Sequence, residues 1–362
     1  MRVLVAPLEW GLGHATRCIP IISQLLEYDC EVLIGAEGHA RALLEQEFPR
    51  LTFLPLRGYR MRYSRRKYWL PLQILIQFPK IIYSIFNEHR WLKKMIGLHS
   101  INAVISDNRF GLYNKNIPCI YITHQLTIKT GNAFTEWVAR KIHYHFINKY
   151  NMCWVPDVAG DSNLAGELSH PKHLPKSPVQ YIGPLSRFEI IAVGKKYSIA
   201  IIISGPEPQR TIFEDIILNG LENYNSPCIL VRGLPAGVDI CKCKNARIEI
   251  HNHLSSAELN TVIQQSSLVI GRSGYTTVMD LVKLQQKAIL IPTPGQTEQE
   301  YLAQYLMSRN IFFCIKQEDL SLSETLNTVA NFSYVPFDID QKEYKAAIES
   351  FIVRLESGRV QR

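Results

Sequence analysis

The sequence predicts an α/β protein built from two similar halves, each a doubly wound parallel sheet, and three observations carry that prediction. Short, fully apolar runs of strand length recur along the chain, at residues 3–6, 32–34, 103–105, 120–122, 199–203, 228–231, 268–270 and 288–291. Runs without polar alternation are the mark of strands buried on both faces. Between them lie segments with apolar residues at helical spacing, among them 19–26, 72–96, 211–221, 256–265 and 275–284, and strand–helix alternation of this kind argues parallel sheets. After Gly183-Pro184-Leu185-Ser186-Arg187 the whole pattern restarts, which predicts a first domain over 1–187, a second over 188–340 and a terminal helix over 341–362. Two such halves are expected to face each other across a cleft.

In order along the chain, the run 3–6 ends at a glycine turn, Gly11-Leu12-Gly13-His14, before the first helix. A dinucleotide fingerprint would require a third glycine and an acidic residue at the next strand end. Here the third glycine is missing and Glu31 comes before its strand, so Gly11 and Gly13 are read as glycines that let the backbone come close to a ligand. His14 follows them and is the leading candidate base, because an imidazole titrates near neutrality. Asp107, at the end of the run 103–106, is the second candidate, with Asn108 and Arg109 beside it; His124 closes the run 120–122. Strand ends are where open α/β sheets hold their ligands. Residues 156–178, with four prolines, read as irregular.

In the second half, the run 199–203 leads into Ser204-Gly205-Pro206-Glu207-Pro208-Gln209-Arg210, where Ser204, Gly205 and Arg210 are candidate phosphate contacts. The run 268–270 ends at Gly271-Arg272-Ser273-Gly274, with Ser273 as candidate N-cap of the next helix. The run 288–291 ends at Pro292-Thr293-Pro294-Gly295, and Gln296-Thr297-Glu298-Gln299 opens another helix. Free N–H groups at a helix start, with an arginine alongside, suit an anionic ligand. Consecutive parallel strands deliver their loops to one edge, so both loops are expected to touch one ligand.

Composition sets further bounds. The 362 residues are 46% hydrophobic and carry a net charge of +8, enough apolar material for two cores and a sign that favours acidic partners. The eight cysteines are scattered through apolar runs, as expected of reduced thiols in a cytoplasmic protein. The first seven residues are interrupted too soon, by Glu9 and Gly11, to form a secretory leader. Cys241-x-Cys243 with His251-x-His253 lacks the usual zinc spacing, and Asp338-x-Asp340 reads as a helix cap, so no metal and no cofactor are expected. The basic, aromatic run 57–69 and the apolar run 70–86 predict a peripheral contact with an anionic membrane surface, on the inner face. Prolines and polar residues within it argue against a span. No nucleic-acid module accompanies the charge.

Taken together, Gly271-Arg272-Ser273-Gly274, Thr276-Thr277, Asp280, Ile291-Pro292, Gln296 and Gln299 stand in the order found in family 28 of the two-domain nucleotide-sugar glycosyltransferases known as GT-B. The chain resembles that family, which includes the N-acetylglucosaminyltransferases of the peptidoglycan lipid precursor, most closely over residues 199–307. The resemblance implies transfer of a sugar from a UDP-sugar, with inversion; it is silent on the acceptor, which is expected to be a glycan or lipid-linked molecule. It implies that His253 and Leu254 face the uracil, that Arg272, Ser273 and Gly274 hold the diphosphate with Thr276 near, and that Gln296 and Gln299 bind the sugar hydroxyls. Asp280 stands where the family has a ribose-binding glutamate, and Tyr301-Leu302-Ala303 departs from the family's Asn-Ala pair. Two other classes share the pattern: a UDP-sugar epimerase of the same fold, and a non-catalytic nucleotide-sugar-binding protein.

Overall fold

The computed structural model describes residues 1–9, 11–59, 70–234, 245–337 and 342–358. The chain divides into two compact units, Met1–Ser186 with Asp340–Arg362, and Arg187–Ile339.

In the first unit, strands β1 (Arg2–Pro7), β2 (Glu31–Ala36), β3 (Thr52–Pro55), β4 (Ala103–Asp107), β5 (Cys119–Ile122), β6 (Met152–Val155) and β7 (Val179–Tyr181) form one sheet in the order β3-β2-β1-β4-β5-β6-β7, every pair parallel. Helices α1 (Leu12–Glu27), α2 (Gly38–Glu47), α3 (Leu70–His99) and α4 (Ala133–Ile147) are the crossovers. Residues at positions 3 to 6 of β1 are fully buried, because helices cover both faces of such a sheet. Leu4, Leu33, Leu54, Val104, Tyr121 and Val155 share one core. The terminal helix α10 (Glu343–Glu356) belongs to this unit, packing on α1 and setting Phe351 edge-on to Trp154 at 5.6 Å.

The second unit carries β8 (Tyr197–Ile202), α5 (Gln209–Leu221), β9 (Cys228–Val231), β10 (Ile248–His251), α6 (Ser256–Gln264), β11 (Ser266–Arg272), α7 (Tyr275–Lys283), β12 (Ala288–Ile291), α8 (Thr297–Ser308), β13 (Phe313–Cys314) and α9 (Leu322–Ala330). Its sheet order is β10-β9-β8-β11-β12-β13, again parallel throughout. Ile199, Ile201, Phe213, Ile217, Ile270 and Ile289 lie in its core.

In each unit the strand order reverses at one place, between β1 and β4 in the first and between β8 and β11 in the second. Loops leaving such a pair depart to opposite faces and open a crevice at the carboxyl edge. His14 and Asp107 fall at the first of these places and Ser204, Gly205, Arg272 and Ser273 at the second, while His253 and Leu254 follow β10 and Gln296 and Gln299 follow β12. The polar run 60–69, Cys241, Cys243, Asp338 and Asp340 lie outside the described residues. Among the described residues, Cys18, Cys30, Cys119, Cys153 and Cys228 are buried and form no disulfide, no group of three His, Cys, Asp or Glu could hold a metal ion, and no helix is long and apolar enough to cross a membrane.

Candidate active site

The first unit's reversal point is built on charge. Pro7 at the end of β1 pairs with Asp107 at the end of β4, so the turn into α1 and the Asp107 side chain start from adjacent positions. Gly11 begins the turn at φ 80°, with nothing within 4 Å of where a Cβ would stand. It is the left-handed backbone, not a close approach, that asks for glycine here. His14 and Arg17 then fall three residues apart on one face of α1.

Asp107 is fully buried. Arg17 grips it with two donors, Nε to Oδ2 at 2.7 Å and Nη2 to Oδ1, the forked geometry in which Arg binds a carboxylate most firmly. Burial pulls the Asp107 carboxyl upward, but Arg17 and then His14 outweigh it and hold it at about 2. His14 Nδ1 lies 3.1 Å from Asp107 Oδ2 and 2.8 Å from Arg17 Nη2. Arginine can only donate and an ionised carboxylate can only accept, so these contacts call for opposite tautomers. With the proton on Nδ1, His14 donates to Asp107 and presents a bare Nε2. Burial, followed by the Arg17 charge, lowers the His14 pKa against the pull of Asp107, so the ring is neutral at neutral pH. Its side chain keeps 13% of its surface exposed. His124 is buried, and its Nδ1 accepts from Arg17 Nη1 at 3.1 Å.

Arg109, the third member of the polar triplet at the end of β4, does not join this group. It is fully buried and donates from Nε to Glu88 Oε1 at 2.8 Å and from Nη1 to Pro7 O at 3.2 Å. Glu88 Oε2 in turn accepts from Tyr59 OH and from the Gly111 N–H, both at 2.9 Å. This pair fastens α3 to the strand ends, and Asp107 is left to Arg17.

In the second unit, Arg272 pairs in register with Ile291, so the loops after β11 and β12 leave the sheet side by side. They are tied together: Ser273 Oγ donates to Gln299 O at 3.0 Å, and the Thr293 N–H donates to Gln299 Oε1 at 2.9 Å. Ser273 is therefore not the N-cap of α7. That place falls to Gly274, which has no side-chain oxygen and makes no side-chain cap bond. Gln296 caps α8 in position but makes no side-chain cap bond, and its Oε1 accepts from Gln299 Nε2.

Arg272 is 2% exposed, with its guanidinium 4.3 Å above the Phe213 ring. Nη2 donates to Gln209 O at 2.8 Å and Gln317 Oε1 at 2.6 Å, and Nη1 to Pro292 O at 3.3 Å. None of these is a carboxylate, and burial alone lowers its pKa to about 10. A buried cation without a counter-ion is costly and calls for an anion. Arg210 is the reverse case. Its guanidinium is matched by Glu207 at 2.6 Å and Glu214 at 3.0 Å, a clasp that holds the loop after β8 onto α5. Ser204 and Gly205 in that loop are exposed, and Gly205 sits at φ 109°.

The remaining candidates lie at the same carboxyl edge or on its helices. His253 is exposed and Leu254 half-buried in the turn between β10 and α6, just before the Ser255 capping box. Burial, then Arg187, lower the His253 pKa against Glu258. His251 pairs with Glu249 at 2.8 Å. Thr276 is half-buried in the first turn of α7, and Asp280 is buried one turn further on. Sequence reasoning missed Arg17, Gln209, Gln317 and Thr293. Arg17 had a local signal, its three-residue spacing from His14. Gln317 had none, because it reaches Arg272 from 45 positions away.

Known proteins agree with this architecture. A model of the glycosyltransferase family 28 C-terminal domain matches residues 241–354. The chain is 22% identical to a UDP-N-acetylglucosamine–N-acetylmuramyl-(pentapeptide) pyrophosphoryl-undecaprenol N-acetylglucosamine transferase of Synechocystis sp., covering 96% of each chain. It is also 22% identical to an uncharacterized glycosyltransferase of Methanosarcina mazei, over 83% of this chain and 82% of that one. Among solved structures, the spinosyn rhamnosyltransferase SpnG superposes with a TM-score of 0.63 at 15% identity, covering 99% of this chain and 96% of that one. The glycosyltransferase of kitacinnamycin does so at 0.65 and 12%, covering 98% and 95%. With its two parallel-sheet units and the family 28 C-terminal domain matched over residues 241–354, this chain is a family 28-like glycosyltransferase of the GT-B fold, an enzyme that transfers sugar from a nucleotide-sugar donor.

Proposed function

We propose that the donor is a UDP-sugar held by the second unit, that the acceptor is a glycan or lipid-linked hydroxyl held by the first, and that transfer inverts the anomeric centre without a metal ion. The observation that carries the reading is the buried Arg272 guanidinium, which has no carboxylate partner among the described residues, beside the N-terminus of α7 where Gly274 stands at the cap. Together they supply the positive charge that a departing diphosphate requires. Gln296 and Gln299 open α8 next to them and face the sugar; His253 and Leu254 meet the uracil. Asp280, one turn into α7, serves the ribose, and Thr276 and Ser204 approach the phosphates.

In the proposed reaction, His14 Nε2 takes the proton from the acceptor hydroxyl as its oxygen attacks the anomeric carbon. The bond from that carbon to the diphosphate oxygen breaks, and UDP leaves with the electron pair. Asp107 keeps the His14 proton on Nδ1 and steadies the imidazolium that forms. Asp107 itself, at about 2, is too weakly basic to take the proton, so its part is to position the imidazole. A lipid-linked acceptor is supported by the names of the bacterial relatives and by the exposed Tyr83 and Phe86 on α3.

The test is a panel of radiolabelled UDP-sugars against lipid extracts and small glycans, read as label transferred to acceptor. Label that stays in the nucleotide sugar but changes its stereochemistry without acceptor would replace transfer by epimerisation. Arg272→Met is expected to weaken UDP binding by about 1.5–3 kcal/mol through lost charge-assisted bonds; unchanged affinity by calorimetry removes the diphosphate assignment. The acid limb of kcat/KM is expected below pH 6.5. Protonated His14 cannot accept a proton, and burial and Arg17 lower its pKa from that value, so activity survives to lower pH than with a free imidazole. An acid limb above 6.5 would assign the base to another group.

A further inference from the structure

The second unit holds another group with an unfilled bonding requirement. Thr293, in the loop after β12, is 1% exposed, and its Oγ1 has no hydrogen-bond partner. The same is true of Arg272 Nε, although the other nitrogens of that guanidinium are occupied. A buried hydroxyl or N–H left unpaired costs about 1–3 kcal/mol, and what sets these two apart from other such atoms is that they lie side by side. They also converge on one spot. A Cβ built on Gly205 would stand 3.6 Å from Thr293 Oγ1 and 3.7 Å from Arg272 Nε, with nothing nearer. Gly205, in an exposed turn with φ 109°, has no side chain to fill that spot.

The Thr293 backbone does not share this freedom. Its N–H donates to Gln299 Oε1 and its carbonyl accepts from the Gln296 N–H at 3.0 Å, so the position of the hydroxyl is set by the same loop that faces the sugar. We infer that Thr293 Oγ1 and Arg272 Nε together form an oxyanion cradle over Gly205 that takes one phosphate oxygen of the donor diphosphate. Both groups donate, one is cationic, and Gly205 places no side chain between them and the exposed turn. An oxygen accepting from both satisfies the hydroxyl and gives the guanidinium the counter-charge it lacks. The inference rests on the proposed reading of Arg272 as the diphosphate group, and adds a residue that recognises phosphate and not the base or ribose.

The experiment compares UDP with uridine, by calorimetry, on the full chain and on Thr293→Val and Thr293→Ser. The valine variant keeps the shape and removes the hydroxyl; the serine variant keeps the hydroxyl. Thr293→Val is expected to lose about tenfold in UDP affinity with uridine binding unchanged, and Thr293→Ser to stay within about twofold of the parent. If the parent binds UDP better than uridine and the valine variant does too by the same ratio, the cradle is wrong while the diphosphate reading stands. Equal loss of UDP and uridine would also overturn it, since the hydroxyl would then be supporting the loop. A parent that binds UDP no better than uridine sinks both.

Discussion

Replacing His14 by alanine is expected to slow sugar transfer by about 10²–10⁴-fold, the usual contribution of a general base, while leaving UDP affinity where it was. The separation follows from where the residues are. His14 belongs to the first unit, and the proposed nucleotide contacts Arg272, Thr276 and His253 belong to the second. The substitution is also structurally mild. His14 is partly exposed on the first turn of α1, and removing it leaves Arg17 still holding Asp107 by two donors. Asp107→Asn would be a poorer test, because it strands the buried Arg17 charge without a partner and confuses folding with chemistry. Steady-state rates and a UDP titration on the same preparation decide the matter. A His14→Ala enzyme with full activity would transfer the base role elsewhere, with His124 next to be examined.

Arg109→Met is expected to destabilise the first unit by about 3–5 kcal/mol, the cost of removing one partner from a buried ion pair. Both members are buried here, Arg109 fully and Glu88 to 3%, so water cannot replace the lost charge. The loss should carry a pH signature. Burial already raises the Glu88 pKa, and Arg109 is the largest influence opposing it. Without Arg109 the carboxyl moves further up, and a carboxyl whose folded pKa lies above its unfolded value binds more protons in the folded state. Stability linked to it is present at low pH and lost as pH rises through the folded pKa. The variant's deficit should therefore be smaller at pH 5 than at pH 8, as read by chemical denaturation. A deficit below about 1 kcal/mol, or one independent of pH, would mean that Glu88 is not held by this pair.

These two residues show how differently parts of the site could be read from sequence. Asp107-Asn108-Arg109 is one polar triplet at one strand end, and as a string nothing separates its first member from its third. The fold sends Asp107 to Arg17 on α1 and Arg109 to Glu88 on α3, partners 90 and 21 positions away. Arg210 and Arg272 divide in the same way. Arg210 follows β8 and Arg272 ends β11, yet two glutamates neutralise the first and, among the described residues, none reaches the second. Ser273 has the residue type and position of an N-cap, but its hydroxyl is drawn instead to the Gln299 carbonyl.

What the sequence alone determined is the pair of parallel sheets, the positions of the glycine turns and the motif order in the second half. Strand length, helical periodicity and turn chemistry are local properties, written within a few residues of where they act. What only the tertiary structure decided is which charges are spent and which remain: Asp107 as the partner of His14 and Arg17, Arg272 and Thr293 with bonding capacity to spare, Arg109 and Arg210 with none. Whether a buried charge is matched depends on side chains brought in from distant strands and helices, and no local pattern records which of them arrive.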